Sequence, residues 1–260
     1  MFSKVLKYEF QADGKVLLPA YVFGIAGSLV LRLLGWVLTL ASPTIGNVAD
    51  QLFQGIVGLY AVAVLLFSIG YVIVRFFRSM VGKEAYLTLT LPVNTTVHIW
   101  ARFVSGFVFS VLGFLACIAT LNIYDFTGFE IASMTPNDWT VLFFLIGILL
   151  ILLAYVVMEA YFCCAVGSQF KNKVLSSVVT YFIANNAVGI LAIAIIAPIA
   201  IGIEQNGQLL AMLDQLTADP YSAAALFPMI LLAVFLYCGV IFTVQFLVTR
   251  HLFAKKLNLE

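Results

Sequence analysis

Charge is what this sequence has least of. Asp, Glu, Lys and Arg make up 10% of its 260 residues and apolar types 63%, where a soluble domain carries about 25% charged and roughly 45–50% apolar residues. A soluble core cannot hide so much apolar surface, but lipid solvates it directly. The composition therefore excludes a water-soluble globular domain. A net charge of +1 argues against nucleic acid as a partner, since phosphate recognition needs a basic surface. Histidine is almost missing: His98 and His251 stand far apart. The four cysteines, Cys117, Cys163, Cys164 and Cys238, fall inside apolar runs with no CxxC or Cys/His spacing. That pattern excludes a sequence-readable zinc site and reads as buried, inert thiols. No paired His and no Ser–His or carboxylate dyad lies in the apolar runs, which argues against an intramembrane enzyme. No compact apolar stretch with a cleavage site follows the start. MFSKVLKYEFQADGK alternates charged and apolar residues, so a cleavable signal is not expected.

What is present is long apolar runs. A spanning helix needs about 20 mostly apolar residues, and that rule places spans near 17–40, 54–74, 98–122, 140–166, 174–202 and 225–248. The expected fold is an all-α membrane protein of six transmembrane helices. Six crossings put both termini on one side, and the basic residues choose which. Lys4, Lys7 and Lys15 precede the first span; Arg75, Arg78, Lys83 and Arg102 lie between or at the ends of spans two and three. Lys171 and Lys173 join spans four and five, and Arg250, Lys255 and Lys256 follow span six. Every Lys and Arg except Arg32 thus falls on one face. The opposite loops hold Asp50, Asp125, Glu130, Asp138, Glu204, Asp214 and Asp219. Both termini are expected in the cytoplasm of a cell-membrane protein. Trp36, Trp100 and Trp139 fall near span ends, where an indole suits the headgroup layer.

Three segments are more than simple spans. Residues 2–11 put Phe2, Val5, Leu6 and Phe10 at helical spacing with Lys4 and Lys7 elsewhere, predicting a short amphipathic interface helix in residues 1–16. Asp13-Gly14 is expected to end it, ahead of the six-span domain at 17–260. The stretch RFFRSMVGKEAYLTLTLPVNTTVHIW, 75–100, is too polar to span and too patterned for a loose linker. Gly82 gives a break, Lys83 to Leu89 a short second helix, and Pro92 a stop. Asn94-Thr95-Thr96 offers caps for span three. Such a helix suits docking of another protein. After span five, which carries Pro198, residues 204–224 include Leu209, Leu210, Met212, Leu213 and Leu216, predicting a short amphipathic helix on the outer side.

In KYEFQADGKVLLP, 7–19, and RFFRSMVGKEAYLTLTLP, 75–92, the chain resembles the six-span type-2 ABC transporter permeases common in Gram-positive bacteria. The likeness lies in the basic Tyr-Glu-Phe opening, then Gly, a basic residue and Leu-Pro. It continues in the Arg-Phe, Glu, Tyr-Leu and Thr-Leu-Pro block before span three. Departures are Lys83 before Glu84, Ala85 after it, and Arg102 where Lys is frequent. The resemblance implies the membrane half of an ATP-driven exporter. Two permeases, identical or siblings, would pair with two ABC ATPase subunits that hold ATP and Mg. The coupling segment would lie within 75–97, its contacts carried by Arg78, Gly82, Lys83, Glu84, Ala85, Tyr86 and Leu87. The N-terminal helix would brace it through Lys4, Lys7, Tyr8, Glu9 and Phe10, beside membrane lipids. The chain's own residues agree: there is no G-x-x-x-x-G-K-[ST], because Gly14-Lys15 is followed by Val16 and Gly82-Lys83 by Glu84. No cofactor is expected in this chain, and it is not expected to be an enzyme itself.

Ionisable groups inside a membrane are expensive and are functional candidates by default. Arg32 lies within span one, where it can snorkel toward Asp50 or a lipid phosphate. Glu159 lies within span four, and Asn185 and Asn186 of span five are its expected partners. A polar clamp between helices and a substrate contact are both open for that group. An ion-coupled secondary transporter is the alternative reading, with Glu159 as essentially the one membrane carboxylate available for coupling.

Overall fold

The computed structural model describes residues 2–82, 85, 94–123, 136–208, 211 and 220–255. Six helices fill them in chain order: α1 (Phe2–Ala41), α2 (Pro43–Met80), α3 (Thr95–Asn122), α4 (Pro136–Gly167), α5 (Lys173–Gln205) and α6 (Pro220–Lys255). Each is long and apolar enough to cross a membrane. This is the architecture of a multi-pass membrane protein, since a helix bonds its own backbone and leaves nothing for lipid to satisfy. The apolar runs that predicted six spans correspond to these six helices.

Two boundaries differ from expectation. Residues 2–16 are not a separate helix: α1 continues without a break through Asp13, Gly14 and Pro19. Its 40 residues measure about 60 Å, twice the thickness of a hydrocarbon core. Asp13-Gly14 does not end the helix because tertiary partners satisfy the carboxylate and an aromatic ring packs on the glycine, as described below. Likewise α2 starts at Pro43 rather than near 54. Ser42 alone separates it from α1, in an extended conformation, with Pro43 suited to a first helical turn. The tightness of that hairpin requires Gly46, since a Cβ there would collide with the Thr39 backbone.

The chain divides into two compact units, Met1–Ile131 and Ala132–Glu260. In the first, α1, α2 and α3 each pack on the other two. Helix α1 runs antiparallel to α2: Asp13 meets Arg75, Tyr21 meets Ser68, Gly24 meets Val64, and Gly35 meets Asp50. It runs parallel to α3, with Glu9 at Arg102, Asp13 at Ser105 and Gly14 at Phe109. Small residues let the backbones approach, the usual device where lipid offers no hydrophobic drive between helices. Gly113 shows why. It stands four residues after Phe109, and without a side chain it leaves the Phe109 carbonyl open. The Tyr21 hydroxyl donates to that carbonyl at 2.8 Å and the Ser68 hydroxyl at 3.3 Å, while the two hydroxyls lie 2.6 Å apart. Tyr21 and Ser68 are both buried.

In the second unit α4 packs on both α5 and α6. Helices α4 and α6 run parallel, Gly147 lying against Leu231 and Tyr155 beside Cys238 and Gln245. Turn residues after Gly167 reverse the chain into α5, and the Ser176 hydroxyl donates to the Gly167 carbonyl at 3.1 Å. Farther along, the Tyr237 hydroxyl of α6 donates to the Val188 carbonyl of α5 at 2.6 Å. Not one of the 33 residues of α5 is buried. Pro198 sits inside this helix and Pro228 inside α6. The expected outer helix within 204–224 falls largely on residues outside the described ones.

A Cβ on Gly113 would approach Ser68 Oγ to 2.6 Å and the Tyr21 hydroxyl to 3.2 Å, whereas nothing lies within 4 Å of one on Gly55. Gly113→Leu is therefore expected to destabilise the protein by about 1–3 kcal/mol, read as earlier thermal unfolding in detergent. Gly55→Leu is expected to melt with the parent. Equal melting of the two variants would contradict this packing.

Candidate functional site

Glu9 and Asp13 are four residues apart, so they share one face of α1. That face turns toward the C-terminal end of α2 and the N-terminal end of α3. Arg75 of α2 reaches both carboxylates: Nη2 meets Glu9 Oε2 at 2.5 Å, and Nη1 bonds Asp13 Oδ1. Its Nη1 also donates to the Glu9 carbonyl at 3.2 Å. From α3, Arg102 Nε bonds Glu9 Oε1 at 3.1 Å, and the Ser105 hydroxyl donates to Asp13 Oδ2 at 2.5 Å. Glu9 and Asp13 are thus each held from two helices. The side chains are mostly covered, the Arg75 side chain being 23% exposed and that of Asp13 7%. Just beyond, Phe10 of α1 packs on Phe109 of α3 with ring centroids 5.7 Å apart, and Gly14 lies against the same ring.

A groove of about 620 Å³ opens beside this knot, with Phe67, Tyr71 and Val74 as an apolar wall and Arg75, Arg78 and Arg102 at its polar end. Chemically the knot is a fastener. It ties the ends of three long helices together by directional, charge-assisted bonds, and removing one partner would leave a buried charge uncompensated.

The residues expected to brace and couple fall around it. Glu9 is part of the knot and Phe10 packs under it, while Lys4, Lys7 and Tyr8 face outward, Tyr8 at 70% exposure. Arg78 is exposed on the last turn of α2. Gly82 ends that helix: its N–H bonds the Phe77 carbonyl at 2.8 Å, and a Cβ would lie 2.7 Å from the Arg78 carbonyl oxygen. Ala85 is fully buried, its N–H bonding the Gly82 carbonyl at 3.0 Å. Lys83, Glu84, Tyr86 and Leu87 lie outside the described residues. Helix α3 then begins at Thr95 with Asn94 in the capping position, without a side-chain bond to the backbone.

Inside the membrane, Arg32 is half-buried, and Asp50 sits against Gly35, one turn farther along α1. Glu159 does not meet Asn185 or Asn186. Both asparagines are exposed on α5, and the Asn186 amide donates to its own helix at the Phe182 carbonyl, 2.7 Å away. The polar neighbours of Glu159 are tyrosines instead: Tyr155, one turn back on α4 and beside Gln245 of α6, and Tyr181 of α5. Among the described residues no group of three or more His, Cys, Asp and Glu is placed to hold a metal ion. His98 is buried, and the four cysteines are unbonded.

Asp13, Ser105, Tyr155 and Gln245 were not legible as site residues, and Arg75 and Arg102 read as markers of orientation and of the family resemblance rather than as ion-pair partners. A signal was present for Asp13 alone: with Glu9 it makes two carboxylates at i and i+4 in a largely basic and apolar segment. Against family models, curated proteins and solved structures, the chain has no match.

The knot makes a strict prediction about charge exchange. Arg75→Asp and Asp13→Arg singly each set like charges together and are expected to cost about 3 kcal/mol. The double exchange restores opposite charges and is expected to recover most of that loss, measured by thermal unfolding in detergent. Additive losses in the double variant would contradict the pairing.

Proposed function

We propose that this chain is the permease subunit of an ATP-driven ABC exporter in the cell membrane, with both termini in the cytoplasm. It would move an amphipathic or hydrophobic substrate outward, a peptide, antibiotic or lipid-like molecule. A separate pair of ATPase subunits would supply ATP and Mg, and a second permease, identical or a sibling, would complete the membrane half.

The observation that carries this reading is the place of the knot. Helix α2 runs without a break from its apolar stretch to Arg75 and ends at the Gly82 turn, directly before the segment that resembles a coupling helix. A push on residues 83–93 enters α2 and is shared with α1 and α3 through Glu9, Asp13, Arg75 and Arg102. Three helices then tilt as one body rather than α2 bending alone. ATP binding on the partner would bias such a tilt by stabilising one of two packings. Helix α5, apolar and with no buried residue, gives the unit ample surface for lipid and for a second permease.

Glu159 favours a second reading, an ion-coupled secondary transporter, because a membrane carboxylate is the group such coupling uses. Association with an ATPase separates the two. Affinity purification of the chain from native membranes is expected to recover an ATP-hydrolysing subunit, and Glu84→Lys with Tyr86→Ala is expected to lose it. Unchanged association after that double substitution would sink the coupling role. Transport driven by an ion gradient in vesicles without any ATPase would favour the carrier.

A further inference from the structure

Among the described residues of the second unit, three buried polar atoms fall together without a hydrogen bond of good geometry: the Tyr155 hydroxyl, Glu159 Oε1 and Gln245 Oε1. They belong to one cluster, since Tyr155 lies beside both of the others. Glu159 is 1% exposed and Gln245 4%, deep in helices that cross the membrane. Unmade bonds in such surroundings are costly, and a buried carboxylate is costlier than a neutral group. Two of the three atoms can only accept, and the third can do either. The Tyr155 O–H and the Gln245 amide N–H groups are donors within the set, but among the described residues no positive charge stands beside the carboxylate.

Glu159 and Gln245 are covered, whereas Tyr155 beside them is partly open. Tyr155 also lines a groove of about 410 Å³ between α4 and α6, whose walls include Ala154, Cys238, Gly239 and Phe242. Gly239 and Ala154 leave the space, for nothing lies within 4 Å of where a Cβ on Gly239 would be. Phe235, at 59% exposure, forms part of the same lining, so the groove is reached sideways, from the surrounding lipid. Its lining is overwhelmingly apolar and aromatic, suited to an alkyl or aryl body, and the ring faces also favour a cation.

We infer that the α4–α6 groove and the Glu159–Tyr155–Gln245 cluster form a binding site for a lipophilic amine. The ammonium pairs with Glu159 and donates to Gln245 and Tyr155 while its apolar body fills the groove. A primary or secondary amine fits best, because it brings the charge and at least two N–H donors to the same point. The inference concerns binding by this unit alone, so it stands or falls separately from the ATPase partnership.

The test uses the purified full chain in nanodiscs of zwitterionic lipid and two probes. One is a dansyl-labelled long-chain primary amine; the other is the same molecule with its amine acetylated. The amine is expected to bind saturably and at least tenfold more tightly than its neutral analogue. Glu159→Gln, checked for folding by size exclusion and melting, is expected to erase that preference and leave the neutral probe unaffected. Gly239→Leu fills the groove without touching the carboxylate and is expected to weaken both probes. Equal binding of the two probes to the parent would overturn the site. So would undiminished amine binding by folded Glu159→Gln or, should that variant not fold, by Gly239→Leu.

Discussion

Arg75 holds two carboxylates of α1 at once, and the geometry of the first unit follows from that pairing. Ionised groups in a chain this apolar are stable only where opposite charge and hydrogen bonds meet them. Glu9 and Asp13 therefore fix the rotation of α1 about its own axis, and the spacing of Arg75 fixes how far α2 slides along it. Arg102 and Ser105 do the same for α3. Two turns farther into the apolar stretch, Tyr21 and Ser68 repeat the arrangement in neutral form on the Phe109 carbonyl. Around these two polar levels glycines pack on side chains, Gly14 on Phe109 and Gly24 on Val64, which gives closeness but little direction.

The second unit is built with far less polar pinning. Helices α4 and α6 share an apolar seam, and α5 lies against α4 with none of its residues buried. In that setting a single buried carboxylate is conspicuous. Nothing in packing requires Glu159, because Leu or Met would fill its volume at lower cost. Its retention with no cation beside it among the described residues points away from a structural role and toward something that arrives with positive charge.

The spans were legible because the bilayer imposes length and apolarity on each helix independently of its neighbours. A run such as 140–166 needs no partner to be recognised. Helix ends were less legible, since they depend on tertiary partners. Asp13-Gly14 has the local chemistry of a terminus, yet the carboxylate is satisfied by Arg75 and Ser105 from helices more than sixty and ninety residues away. The same holds for Glu159. The cost of a charge in lipid marked it as a candidate, but finding Tyr155 and Gln245 rather than Asn185 or Asn186 near it requires knowing how α4, α5 and α6 are rotated against one another. Resemblance in two short blocks supplied the idea of a coupling segment. The knot now gives that idea a mechanical basis, a place where force on one loop would reach three helices.

Everything proposed for coupling depends on the basic end of the first unit facing the ATPase compartment. Thiol labelling tests this directly. In a variant whose four native cysteines are replaced, single cysteines are introduced as Lys4→Cys, Arg78→Cys and Gly207→Cys, all exposed positions. A membrane-impermeant maleimide added to intact cells is expected to label position 207 alone, with positions 4 and 78 reacting only after permeabilisation. Labelling of position 4 or 78 from outside would contradict the account.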